Sequence, residues 1–232
     1  MDEYIVVDLE MTGLKVKYDK IIEIGAVHVC GADVVETLHK MVNPGQQLSE
    51  KIKQLTGITQ EEVDSGISQS EALDAWIKFA GGLPIVGHNV SFDYSFLKQL
   101  SINEGRPIEH LCADTLKIAR TCLPRLNSRS LDAMCEYYHI ELAAHHRALE
   151  DALATYRIYD RMKMEFEKTN REAFEAKPMM LRLKRVQPIT SAQVEQITRL
   201  SEKLHMDPPP ALREMSRSDA TRLVEKLLKS DR

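Results

Sequence analysis

The sequence predicts an α/β fold: a mixed β-sheet flanked by helices, followed by a small C-terminal helical unit. Three observations carry this. Alternating, β-branched apolar runs are concentrated in the first 42 residues; after them, short apolar runs alternate with helical periods; and a charged, proline-containing break near residue 170 precedes two further amphipathic segments. The 232 residues suffice for one domain and an appendage, and a hydrophobic content of 43% suits a globular chain.

Residues 3–9, 21–29 and 33–42 carry Val, Ile and alternating apolar positions and are separated by short polar or glycine-containing segments, so they read as a three-stranded antiparallel meander. Leu48-Ser49 opens a helical segment that ends near Gly57. Thr59-x-x-Glu62 and Ser68-x-x-Glu71 have the form of capping boxes, and the second leads into Ala72, Trp76, Phe79 and Ala80 at helical spacing. LPIVGHN is then a short apolar strand, residues 92–102 a helix, and PIEHLCADT a second strand, with helices following over about 115–121, 129–138 and 148–168. Strands separated by helices usually lie parallel, which makes the sheet mixed.

Residues 169–187 mix charge with proline and lose the periodicity, which marks a linker or a strapped-down connection between a domain of residues 1–168 and a unit of residues 188–232. In that unit Thr190-x-x-Gln193 caps a helix running to about His205, Pro208-Pro209-Pro210 forbids its continuation, and Ser216-x-x-Asp219 opens another bearing Leu223, Leu227 and Leu228. Two helices are too little for an independent core, so the unit is expected to dock on the main domain or on a partner.

A net charge of −4 argues against a broad basic surface, so a nucleic-acid partner would be gripped locally. The charge is uneven: eleven Lys and Arg against seven Asp and Glu between Pro178 and Arg232 give +4 there and leave residues 1–177 at −8. Apolar stretches fall well short of the roughly 18 residues that span a bilayer, and Met1-Asp2-Glu3 lacks a basic signal-peptide start, so a cytoplasmic protein with no membrane partner is expected. Cys30, Cys112, Cys122 and Cys135 are scattered without a Cys-x-x-Cys pair and suggest packed thiols rather than zinc or disulfides.

Within YIVVDLEMTGL an apolar strand ends in two acids. Side chains two apart on a strand share a face, so Asp8 and Glu10 point one way while Val7 and Leu9 point the other. Paired carboxylates in a low-dielectric setting are costly unless one takes a proton or a cation neutralises both, and oxygen ligands on a rigid backbone suit Mg²⁺ or Mn²⁺. Taken alone, this pair reads more simply as a solvated strand end. Two other places change the balance. In PIVGHNVSFDYSFL an apolar strand runs into His88 and Asn89, and Asp93 falls in the first turn of the next helix, at the carboxyl end of a strand where α/β proteins bind ligands. In AHHRALEDALATYRIYD, Asp151 lies on an apolar-faced helix preceded by His145 and His146. Singly, Asp93 is an ordinary helix-start acid and Asp151 a solvated one.

Together these segments resemble the DEDDh family of 3′-to-5′ exonucleases, the DnaQ-like group that holds the epsilon proofreading subunit of bacterial DNA polymerase III, ribonuclease T and oligoribonuclease. DLEMTGL is similar to the first motif, GHNVSFDYSFL to the second and HRALEDA to the third, and the resemblance spans roughly residues 2–165. It implies a ribonuclease H-like fold with a five-stranded mixed sheet. It also implies Asp8, Glu10, Asp93 and Asp151 as ligands of two divalent cations, Mg²⁺ or Mn²⁺, with Asp8 bridging, and His146 as general base. Met11, Thr12, Gly13 and Leu14 would lie near the terminal nucleotide, with His88, Asn89 and Phe92 opposite; for Leu14 and Phe92, core packing is the commoner fate. His146 and Asp151, five residues apart, differ by about 140° on an ideal helix, so His146 belongs on the loop or frayed turn before it.

The implied partner is single-stranded nucleic acid with a free 3′ end, since such an enzyme reads an end and a splayed strand rather than base edges. DLEMTGL looks like oligoribonuclease, whereas HNVSFD and HRALEDA look like the proofreading branch, so a short-RNA exoribonuclease is the alternative to a DNA exonuclease. A non-catalytic scaffold on the same fold is a third reading, disfavoured by the intact acids and His146. Residues 188–232 could form a homodimer contact, a protein-docking hairpin or a basic nucleic-acid clamp; packing or dimerisation is preferred, because Arg199, Lys203, Arg217, Arg222 and Lys226 suit a solvated face equally well.

Overall fold

A computed structural model describes residues 1–141, 146–209 and 212–230. The chain divides into two compact units, Met1–Leu183 and Lys184–Arg232.

The first unit is built on a mixed sheet of order β3-β2-β1-β4-β5-β6. β1 (Glu3–Met11), β2 (Ile21–Cys30) and β3 (Asp33–Met41) form the antiparallel meander that alternation predicts. β4 (Ile85–Gly87) and β5 (Leu111–Asp114) then add parallel to the free side of β1. A sixth strand departs from the five expected. Lys177–Pro178, inside the expected linker, pairs antiparallel with the outer side of β5. The strand count is corrected, and of the two readings of this segment the structure takes the strapped-down one: a 3-10 turn at Arg171–Phe174 buries Phe174, and Met179 and Leu181 pack on the core. Loss of helical periodicity there reflects an extended edge strap that covers β5.

Alternation along β1 sorts two cores. Ile5, Val7, Leu9 and Met11 face α3 (Gln69–Ala80) and α4 (Ser91–Asn103), meeting Leu73, Trp76, Tyr94 and Leu97. Tyr4 and Val6 face the other layer, α5 (Thr115–Cys122), α6 (Leu131–Tyr138) and α7 (Ala148–Phe166), meeting Ile118, Met134, Ile158 and Tyr159. The capping boxes at Thr59 and Ser68 are both formed, starting α2 (Gln60–Asp64) and α3. Between β1 and β2 the register slips after Glu10, pairing Met11 with Ile21 and leaving Ile22 bulged. Ile22 seats in a satellite cluster with Leu48, Ile52, Ile58 and Val63, which brings α1 (Glu50–Thr56) to the carboxyl end of β1.

The second unit holds α8 (Ser191–Lys203) and α9 (Arg217–Ser230), tied by a bridge between Pro188 and Ser216 and started by the Thr190–Gln193 capping box. The expectation that it lacks a core is corrected: Ile197, Leu212, Ala220, Val224 and Leu227 bury against one another. Among the described residues no helix is long and apolar enough to cross a membrane.

Candidate active site

The site forms where β1 outruns its parallel neighbour. β4 pairs with Ile5 and Val6 and stops at Gly87, so Leu9 has no ladder partner on that side. Its N–H donates instead to Oδ1 of Asp93, at 3.1 Å, from the first turn of α4. An unmet backbone donor thus fixes one carboxylate beside the strand end. Asp8 and Glu10 project from the same strand toward α7, whose own first turn carries Asp151, 7% exposed. α7 comes in this close because Asp8 pairs with Gly25 on β2: a Cβ there would lie 2.0 Å from the carbonyl carbon of Ala148 and 2.1 Å from the Leu149 nitrogen.

Crowding of the acids shows in the proton affinities of three of them. Asp8 is raised well above the ordinary carboxylate range, by burial first and then by Asp93, Asp151 and Glu10. Burial, then Asp151, Glu23 and Asp93, push Glu10 up to about 8, with Arg147 opposing. Asp93 rises to about 7 through burial, against the backbone N–H groups that hold its charged form. Four carboxylates that cannot all ionise unaided form a donor set of hard oxygens suited to divalent cations. One ligand atom each from Glu10, His146 and Asp151 lie within 4.8 Å of one another. His146 stands exposed two residues ahead of α7 with φ 58°, a left-handed backbone. His145 lies outside the described residues.

A cleft of about 660 Å³ opens over this cluster and is lined by every residue so far named as a site candidate. Their roles in it differ. Leu14 is 79% exposed at the cleft, which removes core packing as its explanation, whereas Met11 is buried beneath it and Phe92 packs edge-on to Phe96 at 5.3 Å. Thr12 is committed to the scaffold: its N–H donates to the Lys20 carbonyl, and its hydroxyl accepts from Lys20 N–H at 2.9 Å and Gln46 Nε2 at 3.1 Å and reaches Asp19 at 3.3 Å. Gly13 has no room for a Cβ, which would sit 2.6 Å from the Asp19 carboxylate that also receives Lys15 N–H. Thr12 therefore shapes the loop over the cleft, and a direct reach to substrate by its hydroxyl or N–H would break those bonds.

His88 is likewise anchored. Nε2 lies 2.8 Å from the Arg129 carbonyl, which can only accept, so Nε2 carries the proton; Nδ1, 2.9 Å from Thr115 Oγ1, then accepts. Burial lowers its pKa and agrees with this neutral form. Asn89 adopts φ 66° with its N–H on Oδ1 of Asp114, the residue that also caps α5 through Leu116 N–H.

Several participants escape sequence reasoning. Asp114 looks like an ordinary strand-end acid, and Lys51 and Leu55 on α1 line the cleft wall from a distant segment. Glu23 is fully buried, yet the one acid in the apolar run IIEIGAV was a readable signal. It binds Arg147, the residue after His146.

Residues 5–159 match the family model RNase_T, described as Exonuclease. DNA polymerase III PolC-type from Caldanaerobacter subterraneus is 39% identical over 160 residues, 69% of this chain and 11% of that protein; the chain thus spans about a ninth of the curated relatives of this type. Among solved structures, Exonuclease X in complex with 5′ overhanging duplex DNA matches 74% of this chain and 97% of its own with TM-score 0.61 at 23% identity. E. coli Exonuclease I in complex with a dA16 oligonucleotide matches 72% and 42% with TM-score 0.63 at 18% identity. The nuclease domain of 3′hExo, a DEDDh family member bound to rAMP, matches 77% and 98% with TM-score 0.62 at 20% identity.

Proposed function

The chain belongs to the RNase_T exonuclease family and is a 3′-to-5′ exonuclease, and from that premise we propose that it removes nucleoside 5′-monophosphates from the 3′ end of single-stranded DNA. The observation that carries this reading is the convergence of Asp8, Glu10, Asp93 and Asp151 beneath an open cleft, where burial raises the proton affinities of Asp8, Glu10 and Asp93 and the neighbouring carboxylates raise those of Asp8 and Glu10 further. These four carboxylates would hold two divalent cations, Mg²⁺ or Mn²⁺. Bound there, the pair would lower the pKa of an attacking water and neutralise charge on the scissile phosphate and the leaving 3′ oxygen.

The chain's own residues do the rest. His146 takes the proton from the attacking water, the task of a general base placed within reach of the carboxylate cluster. Exposed Leu14 and the half-buried Phe92 wedge the terminal base, while Lys15 and Lys51 at the cleft offer charge to the phosphates that follow. His88 and Asn89 form the opposite wall. DNA is favoured over RNA because the curated relatives are DNA polymerases, although 11% coverage leaves their polymerisation outside this chain's reach. Residues 188–232 are read as a dimerisation or protein-docking unit, since exposed Arg199, Arg217 and Arg222 are interleaved with Glu195, Glu202 and Glu225 rather than gathered into one basic face.

The test is incubation of end-labelled single-stranded DNA, duplex DNA and short RNA with Mg²⁺ or Mn²⁺. Stepwise mononucleotide release from 3′ ends, fastest on single-stranded DNA, is expected, with Asp8→Ala inactive and His146→Ala slower by about 10²- to 10⁴-fold. Cleavage that persists in a chelator, or without Asp8, rejects the mechanism; faster turnover of the RNA replaces DNA as the substrate.

A further inference from the structure

Outside the carboxylate cluster, one buried acid is held by several polar contacts and has no part in the chemistry described so far. Glu23 on β2 is fully buried and pairs in register with Glu10 on β1. Its Oε1 accepts Arg147 Nη2 at 3.0 Å and Nε at 3.1 Å, and its Oε2 accepts the Ala148 N–H at 3.1 Å. From β3, His39 Nε2 lies 2.6 Å from Oε1. Fork-on-fork pairing of this kind fixes a guanidinium in direction as well as distance.

Position gives these contacts meaning. α7 begins at Ala148 with Arg147 in the N-cap place and no side-chain cap of its own, so its first free N–H is satisfied by an acid 125 residues away. His146 immediately precedes, in a left-handed backbone at φ 58° that a non-glycine residue keeps only when the surrounding structure holds it there. Arg147, pinned to the sheet, is the neighbour that can impose it. We infer that Glu23 is a positioning residue for the exonuclease reaction: through Arg147 and the Ala148 N–H it clasps the start of α7 to β2 and holds His146 over the carboxylate cluster.

This inference rests on the exonuclease reading. The clasp acts through His146, so its loss should lower kcat and leave KM for the strand end unchanged. In Glu23→Ala, kcat is expected to fall about ten- to a hundredfold, the usual cost of removing a supporting partner behind a site residue. Glu23→Gln keeps a single acceptor oxygen, enough for the Ala148 N–H or for Arg147 but not for both in the present geometry, and should recover only part of that loss. Against a His146→Ala background, Glu23→Ala should cost almost nothing more, because the group it positions is already gone. An equal fold-loss in both backgrounds, or an unchanged kcat in the single variant, overturns the inference.

A second readout does not depend on turnover. In ¹³C-histidine-labelled protein, Mn²⁺ should broaden the His146 ring signal strongly in the wild type, less in Glu23→Gln and least in Glu23→Ala. Equal broadening in all three overturns the clasp. Absence of mononucleotide release by the wild type defeats the exonuclease reading instead, and the broadening experiment then decides the clasp by itself.

Discussion

Asp8, Glu10 and Asp93 hold protons that the unfolded chain would have given up. An unfolded carboxyl titrates near 4, whereas folding and burial raise Asp93 to about 7 and Glu10 to about 8. Between those limits the folded state binds more protons than the unfolded one, so stability of the cation-free protein must fall as pH rises from about 4 to about 8. Divalent cations held by these acids, as proposed, would reverse this by replacing the protons. Thermal melts in chelator should therefore show Tm declining from pH 5 to 8, with Mn²⁺ or Mg²⁺ raising Tm more at pH 8 than at pH 6. Asp93→Asn retains an acceptor for the Leu9 N–H while removing one charge, so its chelator Tm at pH 8 should exceed the wild type's and its cation response should shrink. A Tm in chelator that is flat or rises with pH would contradict the burial that drives these shifts. At this scale the acids of the strand end, of α4 and of α7 read singly as ordinary acids, and only the three motifs taken together named them as candidates. The same resemblance named Thr12 and His88, but not the scaffold bonds that commit them, since those come from Gln46, Asp19, Thr115 and Arg129, which no local pattern links to them.

Elements whose boundaries are encoded locally were the readable ones. Thr59, Ser68 and Thr190 each hold a complete capping box, and α2, α3 and α8 start where those boxes place them. α7 has no such signal; its start is set by Glu23 and by the close approach at Gly25, both on β2. A glycine within an apolar strand usually weakens it, and here it is the absence of a side chain that lets a helix backbone touch the sheet. Gly25→Ala tests this. Its Cβ would meet Ala148 and Leu149 main-chain atoms at 2.0–2.2 Å, and no rotamer can relieve a clash with backbone. Helix and strand must separate, carrying Asp151 and His146 away from Asp8 and Glu10. Denaturant unfolding is expected to show a loss of about 1–3 kcal/mol or more, the range for overpacking, and Mn²⁺ should no longer raise Tm. Retained cation stabilisation would mean that Asp151 is placed by something other than this contact.

Across the whole molecule, everything that builds the site belongs to Met1–Leu183. The four carboxylates, His146, the Glu23–Arg147 pair and the bonds that fix Asp93 and Asn89 all fall within it, as do the edge strand at Lys177–Pro178 and the Met179 and Leu181 side chains that close its core. The sequence placed a boundary near residue 169 because helical periodicity ends there. An extended strap has no such period, and its two-residue pairing with β5 is too short to register as alternation. Cutting at the sequence boundary would remove Phe174 and strip the outer side of β5, so truncation must come after Leu183. Among the described residues of Lys184–Arg232, Ile197, Leu212, Ala220, Val224 and Leu227 bury against one another. Deleting it should leave kcat, cation stabilisation and single-strand affinity within about twofold of the full chain, since surface changes remote from packed features have small effects. What should change is association: light scattering across a concentration series should show a smaller oligomer, or loss of a bound protein, for the truncated chain. A fall in strand affinity with unchanged oligomeric state would assign the basic helices to nucleic acid instead, and a weaker salt dependence of binding would then accompany it, because each lost phosphate contact removes a released counterion.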